Sequence, residues 1–262
     1  MSDAKSPILI VLHQEHSTPG RVGRLLRERG YPLDIRRPRY GDPLPETLAE
    51  HAGAVIFGGP MSANDPDDFI KAEINWIGVP LKENKPFLGL CLGAQMLAKH
   101  MGARVWAHPE GRAEIGYYPL LPTAAGDALS ERLGIAWPTH VYHWHREGFD
   151  CPTGARTLAA GDDFPTQAIS AGEAAFGLQF HPEVTHAMIC RWTVMAEERL
   201  ALPGAQDRVR QLAGRFQYDP HVSRWLNSFL DHWLGAGAEA PSEPMRASAS
   251  IPPPAPTREA GS

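Results

Sequence analysis

Apolar runs of strand length alternate with helical patterns through the first hundred residues. Ile8–Leu12 is a β-branched run and predicts a buried strand. Val22, Leu25 and Leu26 follow at i, i+3, i+4 spacing, and Gly30 is the stop signal of that helix. Ala54–Phe57 is a second strand run, leading into Gly58-Gly59-Pro60. Asp67–Lys82 carries Phe69, Ile70, Ile74, Trp76 and Ile77 and predicts a helix that Gly78 and Pro80 break or end. Phe87–Leu90 is the next strand, and Ala94–Met101 has helix-forming composition. This alternation predicts an α/β fold, a mostly parallel, doubly wound sheet with flanking helices.

The pattern then changes. Arg104–Ala107, Gly116–Leu121, Thr139–Trp144, Ala155–Ala160, Thr166–Ser170 and Ala174–Phe180 are short strand candidates with few helices between them. They predict a mixed or antiparallel portion added to the sheet. Helical patterns return over Met188–Leu200, Asp207–Phe216 and His221–Leu234. From about Gly235 the chain is rich in Ala, Pro, Ser and Gly and nearly free of large apolar residues. Such a stretch cannot bury enough surface to offset its ordering entropy. The expected organisation is one catalytic domain over 1–235 and a disordered tail over 236–262.

Composition adds exclusions. The 262 residues are 43% hydrophobic and 21% charged, ordinary for a soluble globular protein. No apolar run approaches the roughly 20 residues that span a bilayer, and the start, MSDAKSPILIVLH, lacks the cleavage site of a secretory signal. Three cysteines outside any C-x-x-C pattern argue against a disulfide framework or zinc ribbon, and for a reducing cytoplasm. A net charge of −5 gives no sign of a nucleic-acid partner. Seven arginines crowd residues 21–39; they read as a solvated helix face, with Arg24 and Glu28 at i,i+4, or as a docking patch for something acidic.

The candidate chemistry starts at GLCLGAQ, residues 89–95. A strand, then G-x-C-x-G, then a helix is the layout of a nucleophile elbow. Small neighbours let the backbone turn sharply and lift Cys91 above the sheet, at a helix N-terminus that favours the thiolate. The N–H of Leu92 is positioned to meet an oxyanion. A core cysteine in a glycine-rich packing turn has the same local signature. A cysteine nucleophile also needs a base and a group to orient that base. GLQFHPEVT supplies His181 and Glu183 at the end of a strand candidate. An i,i+2 pair can set the carboxylate behind the imidazole, fixing its tautomer. FGGPMS follows a strand, and its glycines allow the Gly59 N–H to complete an oxyanion hole with Leu92.

In this order, GGP, GLCLGAQ and FHPE resemble the class I, triad-type glutamine amidotransferases, and most closely stand-alone domains similar to the glutaminase half of GMP synthase. The likeness covers about Ile8 to Arg199. It implies a flavodoxin-like fold and attack of Cys91 on the glutamine side-chain amide. A γ-glutamyl thioester forms, ammonia leaves, and water releases glutamate. His181 is then the general acid/base and Glu183 its partner, and no cofactor is required. Gln95, one turn after the nucleophile, and His145, in YHWHRE, are the implied substrate contacts. The chain has no ATP-pyrophosphatase signature, so an ammonia-accepting synthetase would be a separate subunit.

Other readings stay open. The same triad can cleave γ-glutamyl peptides. A low-pKa Cys91 can serve a redox sensor, and an idle regulatory subunit can retain the triad. His140, His143 and His145 suggest a metal, but no cysteine or matched carboxylate pattern accompanies them, and no metal is expected. Cys151 and Cys190 are expected to be structural.

Overall fold

The computed structural model describes residues 5–236. The expected tail, apart from Ala236 at the end of the last helix, lies outside the described residues. Twelve strands appear among them: β1 (Ile8–Val11), β2 (Leu33–Arg36), β3 (Gly53–Ile56), β4 (Phe87–Leu90), β5 (Val105–Ala107), β6 (Glu114–Pro119), β7 (Leu121–Pro122), β8 (His140–His145), β9 (Glu147–Phe149), β10 (Ala155–Ala160), β11 (Ala168–Ala171) and β12 (Ala175–Leu178). The α-helices are α1 (Gly20–Glu28), α2 (Asp68–Trp76), α3 (Gly78–Lys82), α4 (Leu92–His100), α5 (Ala124–Leu133), α6 (His186–Met195) and α7 (Arg208–Ala236).

Eight strands form the main sheet in the order β2-β1-β3-β4-β12-β11-β10-β7. From β2 to β12 the pairings are parallel, and from β12 to β7 antiparallel. This is the expected mixed sheet. Two smaller antiparallel pairs, β5-β9 and β6-β8, stand beside it.

The parallel strands β1, β3, β4 and β12 are apolar throughout because both their faces are covered. On β1, Ile8 and Ile10 pack toward a core shared with Leu26, Trp225, Phe229 and Trp233, while Leu9 and Val11 face Ile70, Trp76 and Leu97. Thus α1, α5 and α7 cover one face, and α2 and α4 the other.

Several element boundaries differ from the sequence reading. β2 was not expected, since LDIR has only two apolar residues and all four positions are half-buried. α5 was also missed, having few apolar positions; Thr123 caps it, accepting from the Gly126 N–H. α7 is one helix of 29 residues, not two, and Pro220 sits inside it. The helix expected over Met188–Leu200 is α6 followed by a 3₁₀ segment, Glu197–Ala201. The arginine run is not one patch. Arg21 is buried against Asp219 at 2.5 Å, whereas Arg24 makes the expected exposed pair with Glu28.

Candidate active site

Cys91 follows β4 directly and occupies the N-cap position of α4. Its φ is +50°, a left-handed conformation that a non-glycine residue adopts at a cost of about 1–3 kcal/mol. Neighbouring contacts enforce it. The Cys91 N–H donates to Leu178 O at 2.8 Å, and its carbonyl accepts from Ala94 and Gln95. The glycines on either side are steric requirements. A Cβ at Gly93 would lie 2.1 Å from Ile56 O, and one at Gly89 2.4 Å from Gly93 O. The elbow therefore presses against β3, and only hydrogens fit between.

β12 runs parallel beside β4, with Leu178 opposite Leu90. The chain leaving β12 brings His181 alongside Cys91. His181 Nδ1 and Glu183 Oε1 are 2.7 Å apart, and both residues are buried. Pro182 O and Glu183 O hold this turn in place, accepting from the Arg21 guanidinium at 3.2 Å and the Arg21 N–H at 2.8 Å. The other ring nitrogen, Nε2, is buried and makes no hydrogen bond among the described residues. Burial opposes a charged ring. The Glu183 carboxylate and the Cys91 sulfur outweigh it and push His181 up to about 10.

The third segment leaves β3, which flanks β4 on its other side. Gly58 lies directly against the pair: a Cβ there would be 2.8 Å from His181 Cε1 and 3.4 Å from Cys91 Cβ. The site thus sits at the carboxyl ends of three adjacent parallel strands, β3, β4 and β12, where open α/β sheets bind their ligands.

Two cavities meet at Cys91, and both are also lined by Gly59 and Trp144. A large one of about 610 Å³ runs past His181 to Arg39, Arg191 and Arg199. A small one of about 30 Å³ is lined by Leu92, Gln95, His145 and Glu147. Every site residue named from the sequence is therefore gathered at one place. Gln95 and His145 also carry internal roles. Gln95 Nε2 donates to Glu147 O at 2.8 Å and to Gln179 Oε1 at 3.2 Å. His145 Nδ1 lies 3.0 Å from Glu147 O, and its Nε2 3.0 Å from Glu114.

Behind this wall, Glu114, His143 and His145 bring three ligand-type atoms within 4.8 Å of one another. Burial pushes His143 down to about 3, so that ring is uncharged at neutral pH. Burial alone would raise Glu114; the two histidines and Gln167 hold it near 2 instead. The Gln167 amide donates to Glu114 at 2.7 Å. His140 stands apart, stacked on Tyr218 at 4.1 Å.

Sequence reasoning missed several residues. Gln179 Nε2 donates to Cys91 Sγ at 3.6 Å; its i−2 spacing from His181, on the same strand end, was the available signal. Trp192 sets its ring edge-on to His181, with centroids 5.1 Å apart. His13 and Glu73, which buttress Gly58, gave no local signal.

The profile of the family "Glutamine amidotransferase class-I" matches residues 15–188, a span that holds all three segments. The chain belongs to this family. Among its relatives is a glutamine amidotransferase-like protein, YfeJ, of Salmonella typhimurium. It is 31% identical over 180 residues, covering 67% of this chain and 74% of that protein. A GMP synthase [glutamine-hydrolyzing] of Thermus thermophilus is 35% identical over 191 residues, 71% of this chain but 34% of the synthase. The amidotransferase thus spans about a third of such synthases. A glutamine amidotransferase crystal structure from Methylobacillus flagellatus superposes with a TM-score of 0.82 at 27% identity, covering 94% of this chain and all of that one. Among the described residues no helix is long and apolar enough to cross a membrane.

Proposed function

We propose that the protein hydrolyses the side-chain amide of L-glutamine and releases ammonia to an acceptor synthetase on a separate chain. The observation that carries this is the strained Cys91 elbow beside a His181–Glu183 pair at 2.7 Å. In this reading Cys91 sulfur adds to the amide carbon, and the carbonyl oxygen takes up negative charge. The N–H groups of Gly59 and Leu92 meet that oxygen. His181 Nε2 then passes a proton to the departing nitrogen, and ammonia leaves a γ-glutamyl thioester on Cys91. His181, now neutral, takes a proton from water as the water attacks, and glutamate departs. Glu183 keeps Nδ1 protonated throughout. The glutamyl end then lies where the two cavities join at Cys91, with Gln95 and His145 in the wall of the smaller one.

A synthetase acceptor is supported by the relatives that are GMP synthases [glutamine-hydrolyzing], of which this chain spans about a third. The test is glutamate and ammonia release from L-glutamine by the wild type and by Cys91→Ala. Turnover that vanishes in the variant is expected; turnover that survives it refutes the cysteine mechanism.

A second reading has one observation in its favour. The large cavity is far bigger than ammonia needs, and no carboxylate is paired with Arg39, Arg191 or Arg199 among the described residues. Such a space suits a γ-glutamyl compound whose leaving amine is itself large and anionic. γ-Glutamyl dipeptides assayed beside glutamine separate the two readings.

A further inference from the structure

The GGP segment is not held by its own turn. His13, just past β1, and Glu73, on α2, are both fully buried, and their side chains meet at 2.8 Å between Nε2 and Oε2. The other ring nitrogen, Nδ1, lies 3.1 Å from Gly58 O. Both ring nitrogens thus face acceptors, a carbonyl and a carboxylate. The Gly58 carbonyl can only accept, so Nδ1 carries the proton of that contact, and Glu73 at Nε2 fixes the rotation of the ring. The second Glu73 oxygen, Oε1, has no partner among the described residues. A well-packed apolar pair would avoid the desolvation this arrangement costs, so packing does not explain it.

What the pair controls is one peptide plane. Gly58 O and the Gly59 N–H belong to the same peptide unit, which is trans, so they point in opposite directions. Holding the oxygen against His13 turns the N–H away from His13. The two glycines also show opposite sides to their neighbours. A Cβ at Gly58 would approach Cys91 and His181, whereas one at Gly59 would lie 3.0 Å from His13 Cβ. With His13 filling one side, the Gly59 N–H is left facing the space where both cavities meet Cys91. It donates to no backbone or side-chain acceptor among the described residues. A Gly-Gly peptide has little intrinsic preference for this orientation over the flipped one.

We propose that His13 and Glu73 form a positioning pair that fixes the Gly58–Gly59 peptide with its N–H turned toward the developing oxyanion, so that the hole is set before substrate arrives. The proposal rests on the Cys91 chemistry above but not on glutamine as the substrate.

The test compares two reactions of Cys91. p-Nitrophenyl acetate acylates it: sulfur adds to the ester carbon, the carbonyl oxygen takes the electron pair, and collapse expels p-nitrophenolate, leaving an acetyl thioester. Iodoacetamide alkylates the same sulfur by displacing iodide, and no oxyanion forms. Both rates are measured for the wild type, His13→Gln and Glu73→Gln, with Cys91→Ala as the blank and thermal melts for each. Glu73→Gln keeps shape and volume, so it serves if His13→Gln does not fold. The expected result is a ratio of acylation to alkylation reduced about 100-fold, as for loss of one oxyanion donor. Alkylation should stay within about threefold of wild type. An unchanged ratio overturns the proposal, and so does a parallel fall in both rates, which would mark a general disturbance. A wild type that acylates with the ester yet ignores glutamine would sink the glutaminase reading and leave this one standing.

Discussion

Glu183→Gln is the most informative single change at the triad. In the wild type, Glu183 Oε1 lies 2.7 Å from His181 Nδ1, and its charge is a leading influence raising the buried imidazole to about 10. Glutamine keeps the shape and removes the charge. If its amide nitrogen faces Nδ1, the ring proton moves to Nε2, and His181 can no longer accept from Cys91 or water. If its oxygen faces Nδ1, the tautomer survives, but burial now acts with less opposition and the imidazolium is lost at a lower pH. The interval from 6.5 to about 10, at about 1.4 kcal/mol per tenfold change, bounds the lost stabilisation at about 5 kcal/mol. A fall in kcat of about 10²–10⁴ follows, roughly 3–5 kcal/mol in barrier. The assay is steady-state glutamine turnover as a function of pH. Its alkaline limb, where His181 loses the proton it gives to the leaving nitrogen, should move from near pH 10 to lower pH in the variant. Stability carries the same signature. A folded-state value above the free-imidazole 6.5 stabilises the fold in full below about pH 6.5, and that contribution fades as pH rises toward 10. Wild-type melts should decline over this window relative to the variant. Identical pH profiles of turnover with kcat within threefold would refute the argument.

Other expectations are equally specific. Gly58→Ala should cut kcat at least 10²-fold with little change in Tm, because its methyl would press on His181 Cε1 and Cys91 without entering the core; unaltered turnover would show that the loop yields. Arg21→Ala should cost about 3 kcal/mol in urea unfolding, near the lower end for breaking a buried ion pair, since Asp219 keeps Arg215 at 2.8 Å; a loss below about 1 kcal/mol would mean that Arg215 suffices. Arg191→Ala, in the wall of the large cavity alone, should raise KM about tenfold for a γ-glutamyl dipeptide and leave glutamine kinetics within twofold. Equal effects on both substrates would assign the arginine to the glutamyl end. Trp225→Ala should remove about 3–5 kcal/mol, since the ring is fully buried and stacks on Phe229 at 5.0 Å.

The inner parallel strands β1, β3 and β4 were legible because they are buried on both faces and read as unbroken apolar runs. The candidate triad was legible because its members stand in short segments, and the glycines around Cys91 are forced by geometry. Gly89 and Gly93 leave no room for a Cβ, and that pressure writes G-x-C-x-G into the sequence. β2 and α5 were hidden because their burial is partial and their apolar positions few. Pro220 misled because α7 continues through it. His13, Glu73 and Arg21 were hidden for another reason. Their partners lie 45, 60 and 198 residues away, and no local pattern marks a contact that only the topology creates.

The two substrate readings share a chemistry and differ in where the protein builds its specificity. Cys91, His181 and the GGP segment are fixed to β4, β12 and β3, strands locked in register and buried on both faces. A change of substrate cannot move them without unfolding the sheet. The large cavity has different walls. Arg191 and Trp192 come from α6, whose last residues Val194 and Met195 are exposed, and Arg199 from the 3₁₀ segment behind it. Trp192 ties α6 to the strands through His181, Tyr142 and Trp144, whereas Arg191 and Arg199 make no ion pair among the described residues. Substitution there alters the leaving-group side and spares the nucleophile. A synthetase seated over this rim and a large γ-glutamyl substrate inserted beneath it would use the same arginines. Each should therefore exclude the other, and a γ-glutamyl dipeptide should compete with the acceptor subunit for the free enzyme. Competition read as a rise in the apparent Kd of the subunit, absent in the Arg191→Ala and Arg199→Ala double variant, would join the two readings. A subunit that binds equally well with the cavity filled would separate them.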